Sequence, residues 1–454
     1  MNNEAYMNGL IENAREAQAV LETYSQEKLD EIVKVIAKIV FDDAEPLAKM
    51  AAEETRMGVY KDKIKKNQGK ARIIWNHLKG KKATGILRYL EDEALVEVAK
   101  PMGVIGAVTP CTNPIVTPMA NAMFAIKGAN AVIIAPHPRA KKSAKHLQML
   151  YHAAFEKMGV PKNIFQVIEE PSIELTNLLM KSADVVVATG GMGMVKAAYS
   201  SGKPSFGVGA GNVQCIIDRG VDFDTVAQKA IYGRMFDNGI ICSGEQTVIA
   251  YKDDYKKVIA AFVANGAYYT ENKNEIDALR NAVFPDGVMN KDLVGQSVQK
   301  VALMASVAIP EGTKVIIVKP DTCGKGEYFS KEKMCPVMSA YEYETWEQAV
   351  DIALCNLNVE GKGHSAVVHS DTQKNVEYAA LKLPVSRLLV NQICSTMNGG
   401  SFSNSLSPTT TLGCGSWGNN SISENLTYKH LINVSRIAYE KQGAVQPSDE
   451  EIWG

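Results

Sequence analysis

The chain has 454 residues, with 49 Lys plus Arg against 50 Asp plus Glu and a net charge of −1 when the histidines are neutral. That length exceeds what one hydrophobic core serves, so two domains are expected. The balance of charge removes the general electrostatic case for a nucleic-acid partner or an acidic membrane surface, and no apolar run approaches the roughly 20 residues that span a bilayer.

The first eighty residues carry helical periodicity: Leu10, Ala14, Ala17 and Leu21 recur on one face, and a second periodic run covers Ile32 to Ile39. The basic run Lys61, Lys63, Lys65, Lys66 and Lys70, continuing to Lys81 and Lys82, reads as a solvated helix face. From Ile86 to Val98 the pattern is shorter and partly alternating, as in an extended arm. Beyond Val104, short runs rich in branched residues appear at 104–108, 131–134, 164–168 and 184–188, as buried parallel strands require. Helical segments separate them, which predicts βαβ units with right-handed crossovers.

A strand at 213–217 and a helix near 223–236 follow, and the rhythm then repeats. Strands are expected at 247–250, 314–318, 337–341, 365–369 and 388–390, with helices near 253–265, 345–356 and 371–382. The economical division is a first α/β domain over 1–236, a second over 237–420, and a tail over 421–454. The extended stretch Leu431 to Tyr439 in that tail cannot build a domain alone, so it returns to the first domain or to another subunit.

Eight cysteines, at 111, 215, 242, 323, 335, 355, 394 and 414, form neither a CxxC pair nor a ligand-like cluster with histidine. With no secretory n-region and h-region ahead of them, they read as reduced thiols of a cytoplasmic protein, and no metal is expected. Cys242 lies in Asn238-Gly239-Ile240-Ile241-Cys242-Ser243, after a glycine turn and before a strand, where a thiol can be reachable. Spacing alone leaves a buried apolar role open, since free cysteine is usually buried. The same holds for Asn113 as a turn residue, for Thr189-Gly190-Gly191 as a tight turn and for Glu332 as a surface acid.

Eight pieces in fixed order carry a resemblance: TPCTNP at 109–114, IIAPHPRAK at 133–141, VVVATGG at 185–191, GVGAGN at 207–212, NGIICSGEQ at 238–246, EKMCPV at 332–337, GKGHSA at 361–366 and TTTLGCGSWG at 409–418. By these the chain resembles the aldehyde dehydrogenase superfamily and, within it, the branch that acylates coenzyme A. The implied fold is a Rossmann-type cofactor domain plus an α/β catalytic domain and a small oligomerisation arm.

The resemblance implies an NAD(P)-dependent enzyme with coenzyme A as co-substrate. Cys242 is its nucleophile, and sulfur suits that task because thiolate is intrinsically nucleophilic near neutral pH. Asn113 and the backbone N–H of Cys242 stabilise the oxyanion, and His364 is a candidate proton acceptor. Thr189, Gly190 and Gly191 hold the dinucleotide together with Pro136, His137 and Arg139, and Glu332 holds the nicotinamide ribose. Hydrolytic relatives carry a water-activating glutamate where Gly207 stands here, so the thioester is expected to pass to coenzyme A.

At the level of the whole chain the resemblance is to CoA-dependent succinate semialdehyde dehydrogenases. Ser243 and Arg234 are the candidates for the distal carboxylate. Acetaldehyde, propionaldehyde and sulfoacetaldehyde enzymes of the same branch remain alternatives, as does a non-catalytic nucleotide-binding scaffold. NAD and NADP are both open, since Arg139 suits a 2′-phosphate. The expected assembly is a homodimer or a dimer of dimers, joined through 86–98 and 431–439.

Overall fold

The computed structural model describes residues 2–454. Fifteen strands form three sheets. The first two, β1 (Gly85–Leu90) and β2 (Leu95–Pro101), make an antiparallel hairpin over the stretch read as extended.

Five strands follow: β3 (Val104–Thr109), β4 (Ala131–Pro136), β5 (Phe165–Val167), β6 (Val185–Thr189) and β7 (Ser205–Val208). They form a parallel sheet in the order β5-β4-β3-β6-β7. Every residue of β3 and β4 is buried, which is why both read as continuous apolar runs. One face packs under the helices Gln26–Asp42, Tyr60–Leu78, Val116–Lys127 and Lys141–Met158. The other packs under Asn3–Leu21 and Ile173–Ser182. Strand order reverses at β3, so a crevice opens outside the carboxyl ends of β3 and β6, where open α/β sheets bind their ligands.

The second sheet contains β8 (Gln214–Ile217), β9 (Thr247–Tyr251), β10 (Ala267–Thr270), β11 (Val315–Val318), β12 (Val337–Tyr343), β13 (Gly363–His369) and β14 (Val385–Val390). All are parallel, in the order β10-β11-β12-β9-β8-β13-β14. Here the structure corrects the expected boundary at 236. Strand β8 pairs with β9 and β13, and the helix Phe223–Met235 buries Val226, Ala227, Ala230 and Ile231 in the core of this sheet. Sheet membership therefore divides the chain between β7 and β8. Local periodicity could not show it, because a parallel strand looks the same in either sheet. The short strands β7 and β10 also escaped the sequence reading.

Strand β15 (Ile432–Ala438) pairs antiparallel with β2 along its whole length, from Ile432 opposite Pro101 to Ala438 opposite Leu95. The tail thus returns to the arm of its own chain. No helix of the described residues is long and apolar enough to cross a membrane.

Candidate active site

Residues at the strand ends of the two large sheets line common cavities. Asn113 follows β3, Pro136 to Arg139 end and follow β4, and Thr189 to Gly191 end and follow β6, all at the carboxyl edge of the five-stranded sheet. Gly211, Cys242 and Glu332 precede β8, β9 and β12, at the amino edge of the seven-stranded sheet.

Two cavities lie between these edges. The larger, about 580 Å³, is lined by Pro136, His137, Arg139, Thr189, Gly190, Gly191 and Glu332, so all seven expected cofactor residues share one wall system. The smaller, about 340 Å³, is lined by Lys66, Lys70, Ser243, Ser395 and Thr409 among others. Cys242, Asn113 and Thr410 line both. A thiol and a carboxamide on the shared wall are what a reaction between two bound molecules requires.

The path to Cys242 is tightly constrained. After the helix Phe223–Met235 the chain turns through three consecutive left-handed residues, Asp237 (φ 52°), Asn238 (φ 54°) and Gly239 (φ 73°). Asp and Asn tolerate this region better than most residues. Three anchors hold the turn: Asp237 Oδ1 accepts from Val59 N–H at 2.7 Å, Asn238 Nδ2 donates to Gly295 O at 3.0 Å, and Arg234 donates to Gly239 O. Gly211 backs the nucleophile: a Cβ there would fall 1.8 Å from the Cys242 carbonyl oxygen. Among the described residues no acceptor is paired with the Cys242 N–H, which leaves that donor for a substrate oxygen.

The electrostatics are those of a resting thiol. Burial pushes the Cys242 thiol up to about 12, and the neighbouring Glu332 adds to the effect. Glu332 is itself pushed up to about 8, first by burial and then by Glu360, while its Oε1 accepts from Gly211 N–H at 3.2 Å. It is the one acidic side chain among the residues lining either cavity.

Gly207 lies behind this surface and lines neither cavity. A Cβ there would meet Val195 Cγ1 at 2.7 Å and Tyr199 Cε2 at 2.9 Å, so the fold as packed has no room for an acid at that position. The nearby lining residues Val208, Gly209 and Ala210 carry no acid either.

Two sequence assignments fail on geometry. Arg234 is fully buried and lines neither cavity; it donates to the carbonyls of Gly239 and Glu245, so it clamps the loop before Cys242 and is not a carboxylate receptor. His364 is fully buried in β13, outside both linings, with Nδ1 against Ser365 Oγ at 3.0 Å and Nε2 unpartnered. Burial and then Arg387 push it down to about 3, so it is neutral and weakly basic at physiological pH. Ser243 does line the smaller cavity, but its hydroxyl already donates to Ser395 O at 3.0 Å.

The basic run is corrected in part: Lys61, Lys65 and Lys82 are exposed as expected, but Lys63, Lys66 and Lys70 are not. On the helix Tyr60–Leu78 the buried face is Lys63, Asn67, Ala71, Ile74 and Leu78, and Lys66 and Lys70 border it. Lys63 and Lys66 pair with Asp237, and Lys66 and Lys70 line the smaller cavity. The signal was present: extending the Ile74 and Leu78 stripe backward at helical spacing lands on these lysines. Lys70 donates to the carbonyls of Gly399 at 2.9 Å and Thr409 at 3.1 Å. Burial, then Lys66, lower it to about 8, and among the described residues it has no carboxylate partner.

The larger cavity fits a dinucleotide. It sits at the switch point between β3 and β6, and Gly191, which caps the start of the helix Met192–Tyr199, lines it together with Met194 of the helix's first turn.

Comparison with known proteins agrees. Residues 2–301 match the Aldehyde dehydrogenase family. The chain is 56% identical to the succinate-semialdehyde dehydrogenase (acetylating) of Clostridium kluyveri, over all of both chains. It is 38% identical to a sulfoacetaldehyde dehydrogenase of an Acholeplasma species, over 98% of this chain and 93% of that one. Its structure superposes with a TM-score of 0.94 on an acetylating aldehyde dehydrogenase from Geobacillus thermoglucosidasius, at 35% identity and covering 98% of each chain. The chain therefore belongs to the aldehyde dehydrogenase family, in its NAD(P)-dependent, CoA-acylating branch.

Proposed function

We propose that the protein interconverts succinyl-CoA and succinate semialdehyde, with Cys242 carrying the acyl group. The observation that supports this reading most is the ammonium of Lys70, half-buried in the wall of the Cys242 cavity with two carbonyls but no carboxylate for partners. A cation drawn partly out of water is costly unless paired, so a cavity built around one selects a ligand that brings an anion. The distal carboxylate of a succinyl group supplies it while the thioester end lies against Cys242. The similarity to the Clostridium kluyveri enzyme points the same way.

The chemistry follows from the shared wall. Cys242 Sγ attacks the thioester carbonyl carbon, and the displaced electron pair gathers on oxygen. Asn113 Nδ2 and the Cys242 N–H donate to that oxygen; donors fixed in advance in a site shielded from water lower the barrier most. Collapse breaks the bond to coenzyme A and leaves the acyl group on Cys242. The exchange is proton-neutral, because the proton lost by Cys242 ends on the coenzyme A thiol. Thr189 to Gly191 at the phosphates and Glu332 at the ribose would hold a nicotinamide dinucleotide in the larger cavity, where it would supply the hydride for the acyl carbon. Cleavage of the Cys242–carbon bond would then release the aldehyde and leave the electron pair on sulfur, and the thiolate would take one proton from solvent. With no carboxylate other than Glu332 on either lining, water finds no dedicated base and the thioester persists for coenzyme A.

Lys70 also favours a second anionic reading, sulfoacetaldehyde, whose sulfonate asks for the same donor. Initial rates with succinyl-CoA, sulfoacetyl-CoA, propionyl-CoA and acetyl-CoA, followed separately with NADH and NADPH, test the assignment. Succinyl-CoA is expected to have the highest kcat/KM; equal or better turnover of the neutral acyl groups overturns it.

A further inference from the structure

Lys66 stands between the two halves of the site. Its Nζ donates to Asn113 Oδ1 at 2.8 Å and to Asp237 Oδ2 at 2.5 Å. Asp237 has no exposed surface; it also takes Lys63 Nζ at 3.2 Å and the Val59 N–H at 2.7 Å. Asn113 follows β3 of one sheet, whereas Asp237 lies five residues before Cys242, in the left-handed turn that delivers the nucleophile. One ammonium thus ties the carboxamide to the loop carrying the thiol.

The chemistry of that tie is directional. An ammonium has three donors and no acceptor, so it can face only the oxygen of a side-chain amide. With Oδ1 held by Lys66, the amide's Nδ2 is turned away, and its one hydrogen-bond partner among the described residues is Thr112 Oγ1 at the 3.5 Å limit. A free asparagine rotates between two faces of nearly equal shape. In the wrong one it presents a carbonyl oxygen to the developing oxyanion and repels it.

We propose that Lys66, held by Asp237, is a positioning residue that locks the Asn113 amide with Nδ2 toward the oxyanion formed on the acyl group at Cys242. The proposal rests on the reading of Asn113 as the oxyanion donor. It does not depend on which acyl group is bound, since the oxyanion belongs to every thioester.

The test compares Lys66→Met and Lys66→Arg with the native enzyme, using both succinyl-CoA and propionyl-CoA. Methionine keeps most of the stem and removes the donors. Lys66→Met is expected to lower kcat about 10- to 100-fold for both acyl groups, somewhat less than losing the donor itself, with KM changed less than about threefold. Lys66→Arg should restore most of the rate. Alkylation of Cys242 by iodoacetamide passes through no oxyanion, so its rate should stay within about threefold of native in Lys66→Met. In a double-mutant cycle, Lys66→Met should cost little once Asn113→Ala has removed the amide, because both act through one group.

Four results overturn the proposal. A loss confined to succinyl-CoA makes Lys66 an anion anchor. Alkylation falling in parallel with turnover makes it a scaffold for the Cys242 loop. Native kcat in Lys66→Met shows that Asn113 needs no lock, and fully additive losses in the cycle show that the two residues act separately. Should succinyl-CoA prove a poor substrate while the propionyl-CoA rate still falls as described, the substrate assignment fails and the lock stands.

Discussion

The two cavities that share Cys242 are built from opposite materials. The larger is a crevice of backbone ends: strands β3, β4 and β6 terminate there, and its lining is rich in turns, prolines and glycines with one half-buried acid. The smaller is walled by side chains from the helix Tyr60–Leu78, the turn before Cys242 and the polar stretch after Asn391, and its charge comes from lysines. Under the proposed function, the backbone crevice holds what every member of the fold class binds, and the side-chain cavity selects the acyl group. On this reading, substitutions in one cavity separate from those in the other, and only Cys242, Asn113 and Thr410, which line both, affect both.

The largest effect is expected at the shared wall. Cys242→Ala should remove acyl-CoA reduction with every acyl group, by roughly 10⁴-fold or more, together with the covalent acyl adduct seen by mass spectrometry of the intact protein. Residual turnover near the native rate would end the nucleophile assignment and the comparison with it.

Next is Lys70→Met, which leaves the distal anion unpaired. A drop of about 10²- to 10³-fold in kcat/KM is expected for succinyl-CoA, with propionyl-CoA changed about threefold or less. The pH dependence has a definite sign. Lys70 is lowered to about 8, so the ammonium is fully present at lower pH and is lost as pH rises through that value. A bound carboxylate moves the midpoint upward. The KM for succinyl-CoA should therefore rise above about pH 8 while that for propionyl-CoA stays flat. Equal losses for both acyl groups would show that the smaller cavity does not discriminate by charge.

Glu332→Gln sharpens the comparison from the other side. Its carboxylate forms as pH rises through about 8 and then opposes ionisation of the Cys242 thiol, which lies near 12. The iodoacetamide rate should rise about tenfold per pH unit through the neutral and alkaline range. Above pH 8 the glutamine variant should react about two- to tenfold faster than native enzyme, by the usual size of a neighbouring charge effect. In the same variant NAD(P)H-dependent turnover should fall. Losses in both assays would mean that Glu332 shapes the Cys242 loop rather than the nicotinamide site.

The smallest effect is expected at Arg139, exposed on the rim of the larger cavity. Arg139→Ala should weaken NADPH by about threefold to tenfold and leave NADH nearly unchanged, since the guanidinium answers only to a 2′-phosphate. KM values for the two cofactors, measured in parallel, decide it.

Much of the larger cavity was legible in the sequence because its parts are local. Short branched runs mark buried parallel strands, and the residues just past their ends lie at the carboxyl edge whatever else the chain does. Asn113, Thr189 to Gly191 and Pro136 to Arg139 needed only that rule and the family order. Arg234 was misplaced for the converse reason. Its position on the helix before Cys242 is local, but the side chain turns back to Gly239 and Glu245 because the left-handed turn leaves carbonyls there to be satisfied.

By itself the sequence determined the strand and helix rhythm, the arm, the returning tail and a thiol set before a strand, because each is written in spacing over a few residues. Only the tertiary structure decided which sheet takes β8 and what the lysines do. Lys66 meets Asn113 across 47 positions and Asp237 across 171. A charge at such separation reads as solvated until its helix is packed. Packing brought Lys66 to Asp237 and Asn113, and left Lys70 in the cavity wall with two carbonyls and no carboxylate.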